Sequence, residues 1–264
     1  MKTLILKEIK ANYKIFIIFA LIISMYGSII VAMYDPELGK SLNMMAESMP
    51  QLFAAFGMQN PGLTMMDFII NYLYGFILIV IPFVFVVIMS YRLIARYIDK
   101  GSMAYLLTTG LSRIQVILSE LIVFIIGVFA LIAYATILIY LCSYMMFDEG
   151  LEIGKFVLLN IDVLCLQLLF VSLCYLFACC FDELKYSLGV GAGLGFVFIL
   201  IQMLSQVSED IEFIKYLTPL TLFNAKGIVA FDTMAIIQMV VLFLLACILI
   251  IIAIIIFNKR DLSL

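Results

Sequence analysis

Six runs of apolar residues dominate this chain, and each is long enough to cross a bilayer as a helix. They occupy 15–33, 68–89, 117–146, 156–180, 188–204 and 235–257. A helix rises 1.5 Å per residue, so about 20 residues cover a hydrocarbon core of about 30 Å. The runs are continuous, whereas barrel strands alternate apolar and polar residues over about 10 positions. Of the 264 residues 66% are hydrophobic and only 12% are charged. A soluble domain runs nearer half apolar and a quarter charged, and could not enclose this much apolar surface. The sequence therefore predicts an all-α membrane protein with six transmembrane helices, forming a single transmembrane domain over 1–264. The third run exceeds what a membrane needs and is expected to tilt or protrude. The fifth is short and glycine-rich.

Charge distribution orients the spans. With the N-terminus inside, Lys2, Lys7, Lys10, Lys14, Arg92, Arg96, Lys100, Arg113, Lys185, Lys259 and Arg260 fall on the cytoplasmic side. Only Lys40, Lys155, Lys215 and Lys226 fall outside. The positive-inside rule then places both termini in the cytoplasm. No basic tract for nucleic acid occurs. No small-residue cleavage site follows the first run, so it is expected to remain as a span. The six cysteines lie in or beside apolar runs without a CxxC pair, which points to buried small hydrophobes rather than a metal site or a disulfide framework.

Three stretches outside the spans carry information. In 1–14, Lys7, Lys10 and Lys14 lie beside an apolar stripe of Leu6, Ile9 and Tyr13. That is a basic amphipathic helix suited to a leaflet surface, or equally a topogenic anchor. Between the second and third spans, Ser102 is placed to cap a short helix whose apolar face is Met103, Leu106 and Leu107, with Gly110 as its stop. Such a face needs a partner or the membrane itself. The tail ends in Lys259, Arg260, Asp261 and Leu262, a basic anchor at a membrane end.

Together these stretches resemble the permease subunits of ABC-2 type transporters. The likeness rests on Leu6, Lys7, Glu8 and Ile9 followed by Asn12. It continues in Asp99, Lys100, Gly101 and Ser102, in Leu106 and Leu107, and in Gly110, Leu111, Ser112 and Arg113. It ends in the basic tail, and the outer stretch from Met49 to Gly57 is similar to the family's first outer loop. Gly110 stands where the family usually has proline, and Ser119 and Glu120 where a Gly–Lys pair is common. The resemblance implies an exporter subunit in a bacterial plasma membrane, working with a separate ABC ATPase subunit and a second permease subunit as a homo- or heterodimer. It also implies that Gly101, Ser102, Met103, Leu106 and Leu107 form a cytosolic coupling helix that meets the ATPase.

Absences narrow the alternatives. No GxxxxGK[ST] loop exists to cradle phosphates, so ATP hydrolysis is expected in a partner chain. The chain has no histidine, which removes Ser–His dyads and HExxH zinc sites. No catalytic residue, metal ligand or cofactor is expected. Asp162, two turns into the fourth run, is a candidate intramembrane polar site, or lies at the outer interface. Asn71, Asn160, Gln167 and Gln202 are expected to join helices rather than touch cargo. Glycines between Gly189 and Gly195 make two overlapping GxxxG pairs, for internal packing or a subunit interface. The competing readings are a membrane sensor or assembly module without transport, and an intramembrane enzyme.

The orientation is open to direct measurement. On a cysteine-free background, single cysteines at Ser41 and Ser208 should react with an impermeant thiol reagent on intact cells. Those at Thr3 and Ser263 should react only after permeabilisation. Labelling of either terminus from outside would overturn the assignment.

Overall fold

The structure, a computed structural model, describes residues 1–34, 44–45, 48–55, 64–99, 101, 111–147, 151–207 and 209–259. Six long helices account for most of them: α1 (Lys2–Ala32), α2 (Met65–Asp99), α3 (Arg113–Met146), α4 (Ile153–Cys180), α5 (Leu184–Ser205) and α6 (Thr233–Lys259). Each contains one of the six apolar runs. The remaining described structure is short and helical: Pro50–Ala55, two 3₁₀ segments at Glu209–Leu217 and Pro219–Leu222, and Ala225–Val229. There is no strand among the described residues.

The bundle is built around α4. In its apolar core 67% of residues are buried, against 22% in α5 and in α6. It packs most extensively on α6, then on α5, α2 and α3, while α1 lies against α3 and α2. Along one half of α4, Leu159, Val163, Leu166, Phe170, Val171, Tyr175 and Ala178 are all fully enclosed, while Val157 and Ile161 on the other half are exposed. What sets α4 apart from the more apolar α6 is its polar Asn160, Asp162 and Gln167, all of them buried within the bundle. The peripheral helices instead leave one apolar stripe uncovered. On α1 this comprises Ile17, Ile18, Leu21, Met25 and Ile29, and on α6 Leu244, Ile248, Ile251 and Ile255. Rows of exposed Ile and Leu at this length are stable only in lipid.

Two helices overrun the apolar zone. At 1.5 Å per residue, α2 (35 residues) and α3 (34 residues) each reach about 50 Å. The second apolar run ends at residue 89, yet α2 continues to Asp99 past Arg92 and Arg96, because those side chains lie against partners on the same flank of the bundle. Gly101 then ends the helix. Its φ of +63° is a left-handed conformation that favours glycine, and its N–H donates to the carbonyl of Ile98 at 2.9 Å. Helix α3 begins on a capping box. The Ser112 hydroxyl accepts from the Gln115 N–H at 3.2 Å, and the Gln115 side chain accepts from the Ser112 N–H at 3.0 Å. Stretch 1–14 likewise runs without a break into the first span as the opening turns of α1. Its inward face is Leu4, Glu8 and Asn12, while Leu6, Ile9 and Tyr13 are exposed.

Helix α2 is discontinuous. Two π-helical turns, Ile70–Tyr74 and Tyr91–Ala95, flank the regular stretch Ile77–Ser90, which contains Pro82. Between the first π turn and that stretch, Phe76 adopts φ −143° and ψ −53°, outside the helical region. The backbone of α2 is therefore irregular on both sides of its regular stretch.

The glycines of α5 divide between two faces. A Cβ on Gly191 would come within 3.3 Å of the Cys174 Cα, and one on Gly195 within 2.5 Å of the Phe83 ring. These two let α5 approach α4 and α2. Gly189 and Gly193 have nothing within 4 Å of a Cβ position, so the second GxxxG pair is turned away from the fold. Gly195→Ala should lower stability by about 1–3 kcal/mol through overpacking. Gly193→Ala should stay within about 0.5 kcal/mol of the unmodified chain. Thermal unfolding of the detergent-purified variants measures both, and equal melting curves would contradict this packing.

Candidate functional site

At the end of the bundle that carries residues 100–112, polar side chains tie three helices together. Asn12 and Glu8 sit one turn apart on the inward face of α1. The Asn12 side-chain amide donates to the Glu8 carbonyl at 2.8 Å. From α2, Arg92 Nε donates to Asn12 Oδ1 at 2.7 Å, and Arg92 Nη2 donates to the Ala11 carbonyl at 3.0 Å. One turn on, the Tyr97 hydroxyl donates to Glu8 Oε1 at 2.8 Å. Glu8 and Asn12 are buried. The bonds made by Arg92 and by the Glu8 carboxylate involve charged groups, a kind worth about 1.5–3 kcal/mol each, and they fix the last turns of α2 against the first turns of α1.

Helix α3 adds Glu120. Its side chain is buried, and neither carboxylate oxygen has a hydrogen-bond partner among the described residues. Glu8 and Arg96 are its charged neighbours. A further bond links this corner to α5: Asp99, the last residue of α2, accepts from the Leu184 N–H at the start of α5 at 3.0 Å. The turn at Gly101 therefore leaves a platform made of α1, α2, α3 and α5. Of the expected coupling residues, Gly101 is in place as the α2 terminator, while Ser102, Met103, Leu106 and Leu107 lie outside the described residues.

The intramembrane polar residues divide by role. Gln167 on α4 donates to the Leu78 carbonyl at 3.3 Å and the Ile79 carbonyl at 3.0 Å. Proline at 82 has no N–H to give Leu78, and hydrocarbon supplies no substitute donor. Gln167 supplies it from the neighbouring helix. Asn160 accepts from the Tyr74 hydroxyl at 2.9 Å and donates to the Phe156 carbonyl at 2.8 Å, joining α4 to the first π turn of α2. Both are helix-joining residues, as the sequence implied. Gln202 instead lines a cavity of about 230 Å³ at the α2 discontinuity, with Tyr74, Gly75, Gln206, Asn224 and Lys226 among its other walls. Asp162, near the start of α4, is fully buried within the bundle. It lies against the backbone of Asn224, and neither carboxylate oxygen has a hydrogen bond of normal geometry among the described residues.

The clamp is only partly visible in the sequence. Glu8 and Asn12 stand out through the family resemblance, but Arg92 reads as a loop cation and Tyr97 as nothing in particular. The i, i+4 spacing of Glu8 and Asn12 on an otherwise apolar face is the available signal. Glu120, an acid in the early turns of a long apolar helix, is another.

Six helices of this length and apolarity, with a polar platform at one end and irregular backbone in α2, define a polytopic membrane protein. The sequence profile described as ABC-2 family transporter protein matches residues 7–262. The chain belongs to this family, as a multi-pass permease subunit of an ABC transporter. Among curated proteins none matches the chain.

The pairing of Gln167 with Pro82 is testable as a double-mutant cycle. Gln167→Leu alone should destabilise the chain by about 1–3 kcal/mol, because the Leu78 carbonyl loses its donor in hydrocarbon. In the Pro82→Ala background the same change should cost about 1 kcal/mol less, since alanine at that position restores the N–H to Leu78. Additive losses in chemical denaturation would show that Gln167 stabilises by packing alone.

Proposed function

We propose that this permease subunit exports its cargo by coupling a separate ABC ATPase to the bundle through residues 101–110. Family membership supports the ATPase partnership and a pairing of two permease subunits in general form. The observation that carries the coupling is the clamp of Glu8, Asn12, Arg92 and Tyr97, with the Asp99–Leu184 bond beside it. A push on 101–110 acts directly on the end of α2. The clamp passes it to α1, the Asp99 bond passes it to α5, and neither helix can lag without breaking a charge-assisted bond.

The short helix expected over 102–109 presents Met103, Leu106 and Leu107 to a groove of the ATPase, with Gly101 and Ser102 setting its start. Burial of each large side chain stabilises the contact by about 1.5–3 kcal/mol. With both termini cytoplasmic in a bacterial plasma membrane, ATP-driven closure of the ATPase pair displaces this platform. The two breaks in α2 let its ends move relative to its centre, and the bundle passes from inward-open to outward-open. Asp162 and the cavity beside Asn224 lie toward the opposite end, where Asp162 serves as an intramembrane polar site along the α4 side of the pathway.

Leu106→Asp with Leu107→Asp should leave membrane insertion and the melting temperature of the purified chain unchanged. It should abolish co-purification with the ATPase or uncouple hydrolysis from transport. Arg92→Ala should keep the ATPase bound yet lower transport per ATP hydrolysed, because the push no longer reaches α1. Normal transport by the double variant, with the ATPase still co-purifying, would reduce the segment to a membrane-lying linker and remove the coupling role proposed for it.

A further inference from the structure

We propose that a groove between α1, α2 and α3 holds one acyl chain of a glycerophospholipid, with the lipid phosphate against Arg92. The groove has a volume of about 200 Å³ and lies beside the clamp on the bilayer-facing side of the bundle. Ile9, Tyr13 and Phe16 of α1 form one wall, Phe85 and Met89 of α2 its floor, and Ile126 of α3 part of the other wall. Its floor is shaped by Gly127, where a Cβ would stand 3.4 Å from the tip of the Phe85 ring.

Chemistry selects the occupant. A volume of that size would hold roughly six waters at about 30 Å³ each, but a buried water needs two to four polar partners. The groove's lining holds only two residues with side-chain hydrogen-bonding groups, Asn12 and the half-exposed Tyr13, and both ends of the Asn12 amide are already engaged by Glu8 and Arg92. Water has nothing to bind there, and the walls are aliphatic and aromatic. The groove is cut into membrane-spanning helices, so lipid tails reach it without crossing a polar layer.

Charge fixes the polarity of the lipid. Asn12 forms the end of the groove nearest the platform, and the Arg92 guanidinium stands on it. Arg92 uses two of its five N–H donors on Asn12 and Ala11 among the described residues. Guanidinium pairs with phosphate through paired N–H donors, and the remaining donors are available at the level where a chain entering the groove would carry its head group. A wedge there would hold α1 apart from α3 without touching the Glu8–Tyr97 bond. The lipid belongs to the leaflet around the N-terminal half of α1.

The test reads lipid retention on the purified full chain without an ATPase, so its failure leaves the coupling reading untouched. After incubation in mild detergent with phosphatidylglycerol, native mass spectrometry should show one retained lipid per chain. Diacylglycerol with the same acyl chains, lacking phosphate, should be retained about tenfold less. Gly127→Phe and, independently, Ala130→Phe fill the groove and should abolish retention, while Gly193→Phe on the outward face of α5 should not. Arg92→Gln should erase the preference for phosphatidylglycerol over diacylglycerol while leaving residual chain binding. Size-exclusion profiles identify any variant that fails to fold, and the second filling variant then decides. Equal retention by the folded filling variants and the unmodified chain would overturn the proposal. So would disulfide cross-linking of Ile126→Cys between two copies on a cysteine-free background, which would make the groove a subunit contact.

Discussion

Hydrocarbon offers a backbone carbonyl nothing to bond with, and that constraint organises most of what is unusual in this fold. Regular helix satisfies it for five of the six spans without help. Helix α2 departs from it, with a proline at 82, a non-helical residue at Phe76 and two π turns. Each departure frees or displaces backbone groups that an isolated helix could not satisfy in lipid. The bundle resolves this by placing α4 alongside, with Gln167 bonding the Leu78 carbonyl released by Pro82 and its neighbour at Ile79, and Asn160 holding Tyr74 of the first π turn. As the most deeply buried of the six helices, α4 can carry such side chains without exposing them to lipid. The central position of α4 and the irregularity of α2 are therefore one feature.

The same reasoning explains why the polar clamp lies at one end of the bundle. Glu8, Asn12, Arg92 and Tyr97 carry charge and strong dipoles that are costly deep in a membrane but tolerated near its edge, where each finds a partner. Their placement lets α1, α2 and α3 continue beyond the apolar zone as packed helices rather than as loops. A transporter subunit needs stiff elements at the end where a motor would engage it. An amphipathic helix lying separately on the surface would transmit little, whereas one continuous with its span moves the span with it.

The discontinuities of α2 have a dynamic consequence. A π turn holds one residue more than regular helix would, and such turns recur at functional sites because the register can change locally. Here one sits beneath the clamp and the other beside the cavity lined by Gln202 and Asn224. The regular stretch between them packs against α4 and is anchored through Gln167. Rigid centre and adjustable ends form a reasonable mechanical description of a helix that must respond at one end and act at the other.

The sequence by itself determined the solvent, the number of spans, their type and the family, because these depend on local apolar length and on motifs read along the chain. It also marked Gln167 and Asn160 as helix-joining, since an amide in a span has few other fates. The length of the third run announced the overrun of α3, but nothing announced that α2 runs on past its apolar stretch to Asp99. Arg92 and Arg96 look like the end of a helix until Asn12 and Glu8 are known to lie beside Arg92 and Tyr97. It left the glycines of α5 as two equivalent pairs, and only tertiary packing assigned Gly191 and Gly195 to the interior and Gly189 and Gly193 to the outside. Which turn of α5 meets Phe83 and Cys174 is a matter of rotation about the helix axis, and a helix apolar on every face carries no periodic signal that sets that rotation. Packing supplies it, through the close approach that a missing side chain permits.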